Sequence, residues 1–266
     1  MRLLFLSFFL LTAVCTRSQT GLQQPFNACG VTGSTTIFDL KHNRWLITDS
    51  TDAGTGTQPA STFKIINLLI ALETGVIRDE HTIVKWPGHT DTTLYGYRPD
   101  IYRDMSVKEA FEVSAGWVFV ELAKRIDRKK YQYYLDRCHY GNGNLTEKGA
   151  DFWNFGAFAI TPKNQVTFLI KVYKEQLPFS KRNLAILKNV MITETNDQYT
   201  IRSKTGWTRI AEKNIGWWTG YLTTHDNVYF FATRIINDRA ANNPDFSNCR
   251  KTITRHFLRQ VGALTD

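Results

Sequence analysis

Apolar positions follow a period of two near both ends of the chain and a helical period between them. Residues 35–40 and 44–48 predict two strands joined at Lys41-His42-Asn43, an N-terminal hairpin. Residues 199–205, 215–223 and 228–235 are aromatic and β-branched and predict three more strands, the last two joined at Asp226-Asn227. In between, Phe63, Ile66 and Ile70 mark a helix that follows Pro59 and ends at Gly75. So apolar a helix is buried nearly all round. Ser106-x-x-Glu109 predicts a capping box. Thr161-Pro162 opens a helix with Val166, Leu169, Ile170 and Tyr173 on one side, and Ser180 caps another through Leu184, Leu187 and Val190. Residues 251–261 predict a closing helix. Strands at both ends with helices between them predict an α/β (α+β sandwich) fold. Its central antiparallel sheet is built from the N- and C-terminal segments, an all-helical lobe is inserted, and the site lies where lobe meets sheet.

The first residues have a different pattern. Met1-Arg2 is a short basic start, residues 3–14 are apolar, and Thr16-Arg17-Ser18 is a small-x-small cleavage site before Gln19. This predicts a signal peptide at 1–18, one catalytic domain at 19–266 and export, to the periplasm as the best fit. The bulky Val14 argues against Cys15 as a lipid-bearing cysteine. The apolar run is too short to span a bilayer and no later stretch qualifies, so no integral membrane segment is expected. Loss of the leader removes Arg2 and Arg17 and no acid, which lowers the formal charge from +9 to +7. The basic residues are scattered and close to acids (Lys108-Glu109, Asp127-Arg128), as on solvated helix faces, so nucleic acid is not the expected partner. A local positive charge would suit an anionic small substrate. Cys29, Cys138 and Cys249 have no metal-site spacing, and the six histidines do not cluster with them. One disulfide with a spare thiol, or three buried thiols, are both compatible with this spacing. Nothing in the sequence marks an oligomeric state.

Composition is that of a compact globular protein, with 42% hydrophobic and 13% aromatic residues. Its chemistry is concentrated in a few motifs. Ser61-Thr62-Phe63-Lys64 sets a hydroxyl and an amine one helical turn apart. Ser-x-x-Lys alone is expected roughly once in a chain this long. Lys204-Thr205-Gly206 is expected in about one chain in twenty and Tyr140-Gly141-Asn142 in about one in fifty. All three in this order by chance is on the order of one in a thousand. Taken alone, Ser61 would be a helix cap and Lys64 a surface lysine; the ordered set makes them a nucleophile and its base. An ordinary lysine, with a pKa of about 10.4, is protonated at neutral pH, but an apolar pocket lowers that value. Lys204-Thr205-Gly206 is expected to end a strand just before Trp207. Gly206 would let a ligand lie against the backbone, Lys204 would hold charge near the reacting centre, and Thr205 would bond a carboxylate. The amides of Ser61 and Trp207 are the natural oxyanion donors.

Pro59-Ala-Ser-Thr-Phe-Lys64, Tyr140-Gly-Asn142, Phe152-Trp153, Lys204-Thr-Gly206 and Gly216-Trp217-Trp218 resemble the class D β-lactamases, the oxacillinase family of penicillin-recognising serine enzymes. The likeness runs from about Pro59 to Arg250. It implies β-lactam hydrolysis through a Ser61 acyl-enzyme, with Lys64 carboxylated by CO₂ or bicarbonate (N6-carboxylysine) as general base and no metal or bound cofactor. It also implies that Trp153 holds the carbamate through its indole N–H. Ser114 relays a proton to the leaving nitrogen beside Lys204, and Arg250, before the last helix, grips the substrate carboxylate with Thr205.

Two positions depart from the pattern. The second motif reads Ser114-Ala115-Gly116 where the family has Ser-x-Val, and Asn154 follows Trp153 where the family has Leu. By the resemblance, that Val and Leu shield Lys64 from water, so the two changes remove both walls or replace them with a polar one, unless Trp117 or Phe155 refills the space. They motivate an alternative, a non-hydrolysing penicillin-binding or sensor protein that stays acylated.

Overall fold

The computed structural model describes residues 16–265, so the predicted leader lies outside the described residues except for its last three. Strands β1 (Thr32–Asp39) and β2 (Arg44–Ile47) form the expected hairpin. β3 (Ile83–Val84) and β4 (Met105–Ser106) are a small separate pair. β5 (Ile192–Thr195), β6 (Tyr199–Ile210), β7 (Lys213–Thr224) and β8 (Val228–Asp238) complete a six-stranded antiparallel sheet of order β2-β1-β8-β7-β6-β5. Thr36 of β1 stands opposite Ala232 of β8, so the two ends of the chain meet in mid-sheet as expected.

The helices are α1 (Thr16–Ala28), α2 (Ser50–Gly54), α3 (Lys64–Glu73), α4 (Thr92–Tyr95), α5 (Val107–Glu112), α6 (Gly116–Lys124) and α7 (Arg128–Cys138). They continue with α8 (Phe152–Phe155), α9 (Pro162–Tyr173), α10 (Lys181–Val190) and α11 (Phe246–Gln260). Both faces of the sheet are covered. On β8, Phe230 packs into the helical lobe around α3, while its neighbour Phe231 packs against α1 and α11. This alternation is the period of two expected of a strand buried on both sides. α3 is buried from Lys64 to Leu72, as its composition predicts.

The boundaries depart from the sequence reading in four places. β6 does not end at Gly206 but runs on to Ile210, so most of the 208–214 loop is the tip of a hairpin. Its turn includes Ala211 at φ 49°, with none of the Gly, Asn or Asp that usually marks such a turn. α11 starts at Phe246, which places Arg250 inside the helix rather than before it. The capping box is half made: Ser106 Oγ accepts from the Glu109 amide (3.2 Å), but the Glu109 carboxylate pairs with Arg103. β5 is a mostly exposed edge strand without apolar alternation and had no sequence signal.

Of the cysteine alternatives, the structure takes the disulfide. Cys29, after α1, is bonded to Cys249 in α11, with Cα atoms 6.0 Å apart. Burial pushes the remaining thiol, Cys138, up to about 12, so it stays protonated and inert.

One buried cation fixes the segment that leads into Ser61. Arg234, on β8, donates to the carbonyls of Thr55 (2.7 Å) and Asp52 (2.9 Å), to Thr57 Oγ1 (3.1 Å) and to Asp52 Oδ1 (2.5 Å). Trp217 Nε1 adds a bond to the Gln58 carbonyl (3.0 Å). Removing the guanidinium takes a donor from each of its four acceptors and leaves the Asp52 carboxylate to Ser34 Oγ (2.6 Å), without its counter-charge. Arg234→Met is therefore expected to cost about 3 kcal/mol, read from the urea midpoint; a change below the scatter of the measurement would show the strap to be held elsewhere.

Candidate active site

Ser61 sits in a 3₁₀ turn, Ala60–Phe63, that runs directly into α3. Ala60 is held at φ 51°, a left-handed conformation that costs a non-glycine residue energy, which the surroundings must supply. Thr62 Oγ1 donates to Pro59 O (2.7 Å) and accepts from Gln165 Nε2 (2.7 Å), which locks the turn to α9. One turn on, Lys64 Nζ lies 2.8 Å from Ser61 Oγ. Lys64 is 1% exposed, and its amine stands 5.3 Å from the centre of the Phe119 ring. Burial pushes that amine down to about 8; the charge of Asp151 opposes the fall. At pH 7 on the order of a tenth of the lysine is free amine.

Trp153 enters from α8 and stacks flat on Phe63, with centroids 4.8 Å apart. It is 1% exposed, and among the described residues its Nε1–H has no hydrogen-bond partner. Such an orphan is rare in a folded core and marks a place for an acceptor. The Tyr140-Gly141-Asn142 motif holds this loop in place. Gly141 has φ 70°, and a Cβ there would meet Phe158 Cζ at 2.5 Å. Asn142 Nδ2 donates to Ala157 O (2.9 Å), and its Oδ1 accepts from the Ala159 amide (3.1 Å).

β6 supplies the opposite wall. The Ser203 amide reaches Met191 O on the β5 side (2.8 Å), so by the period of two the Trp207 amide faces the same side, past the end of β5. That free edge abuts the Ser61 turn. A Cβ on Gly206 would stand 2.9 Å from Pro59 O and 3.2 Å from Thr62 Cγ2. The glycine is thus required by the close approach of the Ser61 turn, a different reason from the ligand contact read in the sequence. Arg250 donates to Gly206 O (2.7 Å) and Ser247 Oγ (3.1 Å), and its buried Nε–H has no partner among the described residues. Burial brings it down to about 10, so it remains a cation at neutral pH.

Ser61, Lys64 and Ser114 line one cleft of ≈ 850 Å³ together with Thr205, Gly206, Trp207 and Arg250. Ser114 is the second left-handed residue at the site, at φ 61° between α5 and α6. The other two predicted residues lie behind the cleft wall. Trp153 is one. The other is Lys204, buried with Nζ on its own neighbour's carbonyl, Thr205 O (3.1 Å). Burial, then the charges of Lys64, Arg250 and Lys251, push Lys204 well below the ordinary lysine range. It gives up a proton easily.

The sequence reading missed Asp151. Only 7% exposed, it accepts from Tyr95 Oη (2.5 Å) and from Asn154 Nδ2 at both oxygens (2.8 and 3.0 Å). Burial raises its carboxyl to about 6, although Asn154, Tyr95 and Lys64 favour the anion. Of the two alternatives for Asn154, the structure takes the polar wall: its amide is hydrogen-bonded to the Asp151 carboxylate. No motif contains this cluster, because Tyr95 and Asp151 are 56 positions apart. At the other departure, Gly116, a Cβ would meet nothing within 4 Å. Trp117 lines the same cleft as Gly116, with its indole donating to Ile101 O (2.8 Å). Phe155 turns outward, edge-on to Tyr95 with ring centres 5.6 Å apart.

Residues 33–256 match the family described as the penicillin binding protein transpeptidase domain. β-Lactamase OXA-48 of Klebsiella pneumoniae is 38% identical over 203 residues, 76% of this chain and 73% of that protein. β-Lactamase OXA-10 of Pseudomonas aeruginosa is 32% identical over 248 residues, 92% of this chain and 90% of that one. Among solved structures, the class D β-lactamase of Sebaldella termitidis superposes with a TM-score of 0.86 at 38% identity, covering 92% of this chain and 97% of its own.

Asp151→Asn keeps the shape of the cluster and removes the charge that favours the Lys64 ammonium. The Lys64 pKa is expected to fall below its present value of about 8, as followed by NMR titration of the lysine ε-carbon. An unchanged titration would mean that the two groups are not coupled.

Proposed function

The chain belongs to the class D serine β-lactamases, and we propose that it hydrolyses β-lactams through an acyl-enzyme on Ser61 with Lys64 carboxylated on its amine. The observation that carries this reading is the pairing of a dry Lys64 amine, 2.8 Å from Ser61 Oγ, with a buried Trp153 indole N–H that has no partner. Only the free amine can react with CO₂, and burial supplies that form at neutral pH. A buried carbamate needs donors, and an indole N–H is a donor without acceptor capacity. The residues present fit the group. When formed, the carbamate supplies a carboxylate-type general base next to the serine hydroxyl.

Ser61 Oγ attacks the lactam carbonyl, and the oxygen that gains charge lies against the Ser61 and Trp207 amides. As the C–N bond breaks, the ring nitrogen takes a proton through Ser114, with Lys204 as the easily deprotonated group behind it. Thr205 and Arg250, which line the same cleft, hold the substrate carboxylate. Water then cleaves the ester and frees Ser61. The disulfide and the leader read at 1–18 both support export to an oxidising compartment, the periplasm.

A second reading, an acceptor that stays acylated, is favoured by the open space at Gly116. Intact-mass measurement after a penicillin pulse separates the two. Hydrolysis predicts an adduct on Ser61 that decays within minutes and is absent in Ser61→Ala; persistence for hours selects the acceptor. Absence of both an adduct and any loss of the penicillin, with folded protein, ends both readings.

The pKa of Lys64 sets a pH dependence. Below about 8 the free amine falls tenfold per unit. At fixed dissolved CO₂, activity of dialysed enzyme on nitrocefin is therefore expected to drop from pH 8 to pH 6 and to recover with added bicarbonate. Gly116→Val, which has room for its side chain, is expected to dry the pocket and lower the bicarbonate needed for full rate. Equal bicarbonate requirements in the variant and the parent would show that other groups already shield the lysine.

A further inference from the structure

The cleft carries more positive charge than one substrate carboxylate requires. Besides Arg250, its wall includes Arg98, Arg209 and Arg239, and no aspartate or glutamate lines it. Arg98 is neutralised by Asp100, with bonds of 3.0 Å from Nε and 2.7 Å from a terminal nitrogen. Arg209 and Arg239 are exposed, and among the described residues neither side chain makes an ion pair. Nearby acids do not neutralise them: Asp238 is engaged by Lys213 (2.6 Å), and Glu212, at the hairpin tip, does not line the cleft. The Arg239 amide donates to Glu212 O (2.8 Å), which ties the end of β8 to the tip of the β6–β7 hairpin that carries Arg209. The two free guanidinium groups thus stand on adjoining elements at one end of the cleft.

Strand geometry says which part of a ligand meets them. Thr205, Trp207 and Arg209 alternate along β6 and share a face. Four residues at about 3.3 Å each put Arg209 roughly 13 Å beyond Thr205. In a bicyclic β-lactam the carboxylate, ring nitrogen, carbonyl, α-carbon and acylamino side chain follow one another in that order. With the carboxylate at Thr205 and Arg250 and the carbonyl at Trp207, the acylamino side chain continues along β6 toward Arg209. We infer that Arg209 and Arg239 form a second anion subsite that favours β-lactams bearing an additional carboxylate or sulfonate on the acyl side chain. The inference rests on the proposed substrate orientation.

The test compares benzylpenicillin with the penicillin whose side chain is phenylmalonyl, which differs by one added carboxylate. In the parent enzyme the ratio of kcat/KM, dianion over monoanion, is expected to fall as salt rises from low to molar concentration, by screening. In Arg209→Gln/Arg239→Gln the ratio is expected to fall about fivefold, as for an exposed ion pair, through KM, and to lose its salt dependence. A ratio unmoved by both changes overturns the subsite. Calorimetric binding of both penicillins to Ser61→Ala reads the subsite without chemistry: tighter binding of the dianion supports it, and equal affinities overturn it. Failure of the parent to hydrolyse benzylpenicillin while Ser61→Ala still prefers the dianion would count against the catalytic reading alone.

Discussion

Everything at the centre of this molecule depends on the exclusion of water from one amine. Lys64 is ordinary in covalent structure, and its lowered basicity comes from its position in the first turn of a helix buried along its whole length. An exposed lysine at the same spacing from Ser61 would be a cation competing for the serine lone pairs. The apolar helix, the Phe63 platform under Trp153 and the ring of Phe119 are parts of one device that makes the charged form costly. Asp151 works against it. A buried carboxyl near that amine favours the ammonium, so the population of free base is a balance between burial and a single opposing charge.

The lobes meet along a line of enforced closeness. On one side the backbone is strained at Ala60 and Ser114, both left-handed without being glycine. On the other, Gly206 leaves the space into which the Pro59–Thr62 turn fits. Strain of this kind persists only where neighbours over-determine it. The bonds of Arg234 and Trp217 to the segment before Ser61, and of Gln165 to Thr62, do this. The same rigidity leaves the Trp207 amide on an edge that no strand covers.

Much of this was legible in the sequence because the required residue types are rare in combination. The hairpin, the buried helix, the helix starts at Thr161 and Ser180 and the convergence of the two ends in one sheet follow from periodicity and caps. The motif residues converge because each motif encodes a local constraint: a turn, a glycine at a close approach, a donor without an acceptor. Other features have no local signature. The Asp151 cluster needs a tyrosine from a distant segment, and an acid before two aromatics reads as nothing in particular. The continuation of β6 through Ile210 is set by pairing with β7, which overrides weak turn chemistry at Ala211. The first turn of α11 carries no side-chain cap, so the sequence holds no sign of its start at Phe246.

The register of β1 against β8 has a consequence in time. Thr36 and Ala232 are neighbours in mid-sheet yet are separated by most of the chain, and Arg234, from the same late strand, anchors the approach to Ser61. Loop closure of that length must precede the reward of forming the contact, which places this protein among slow, non-local folders. The N-terminal hairpin has no partner on its inner side until the last strand has been synthesised. The segment that leads into Ser61 therefore gains its Arg234 anchor only once β8 is present.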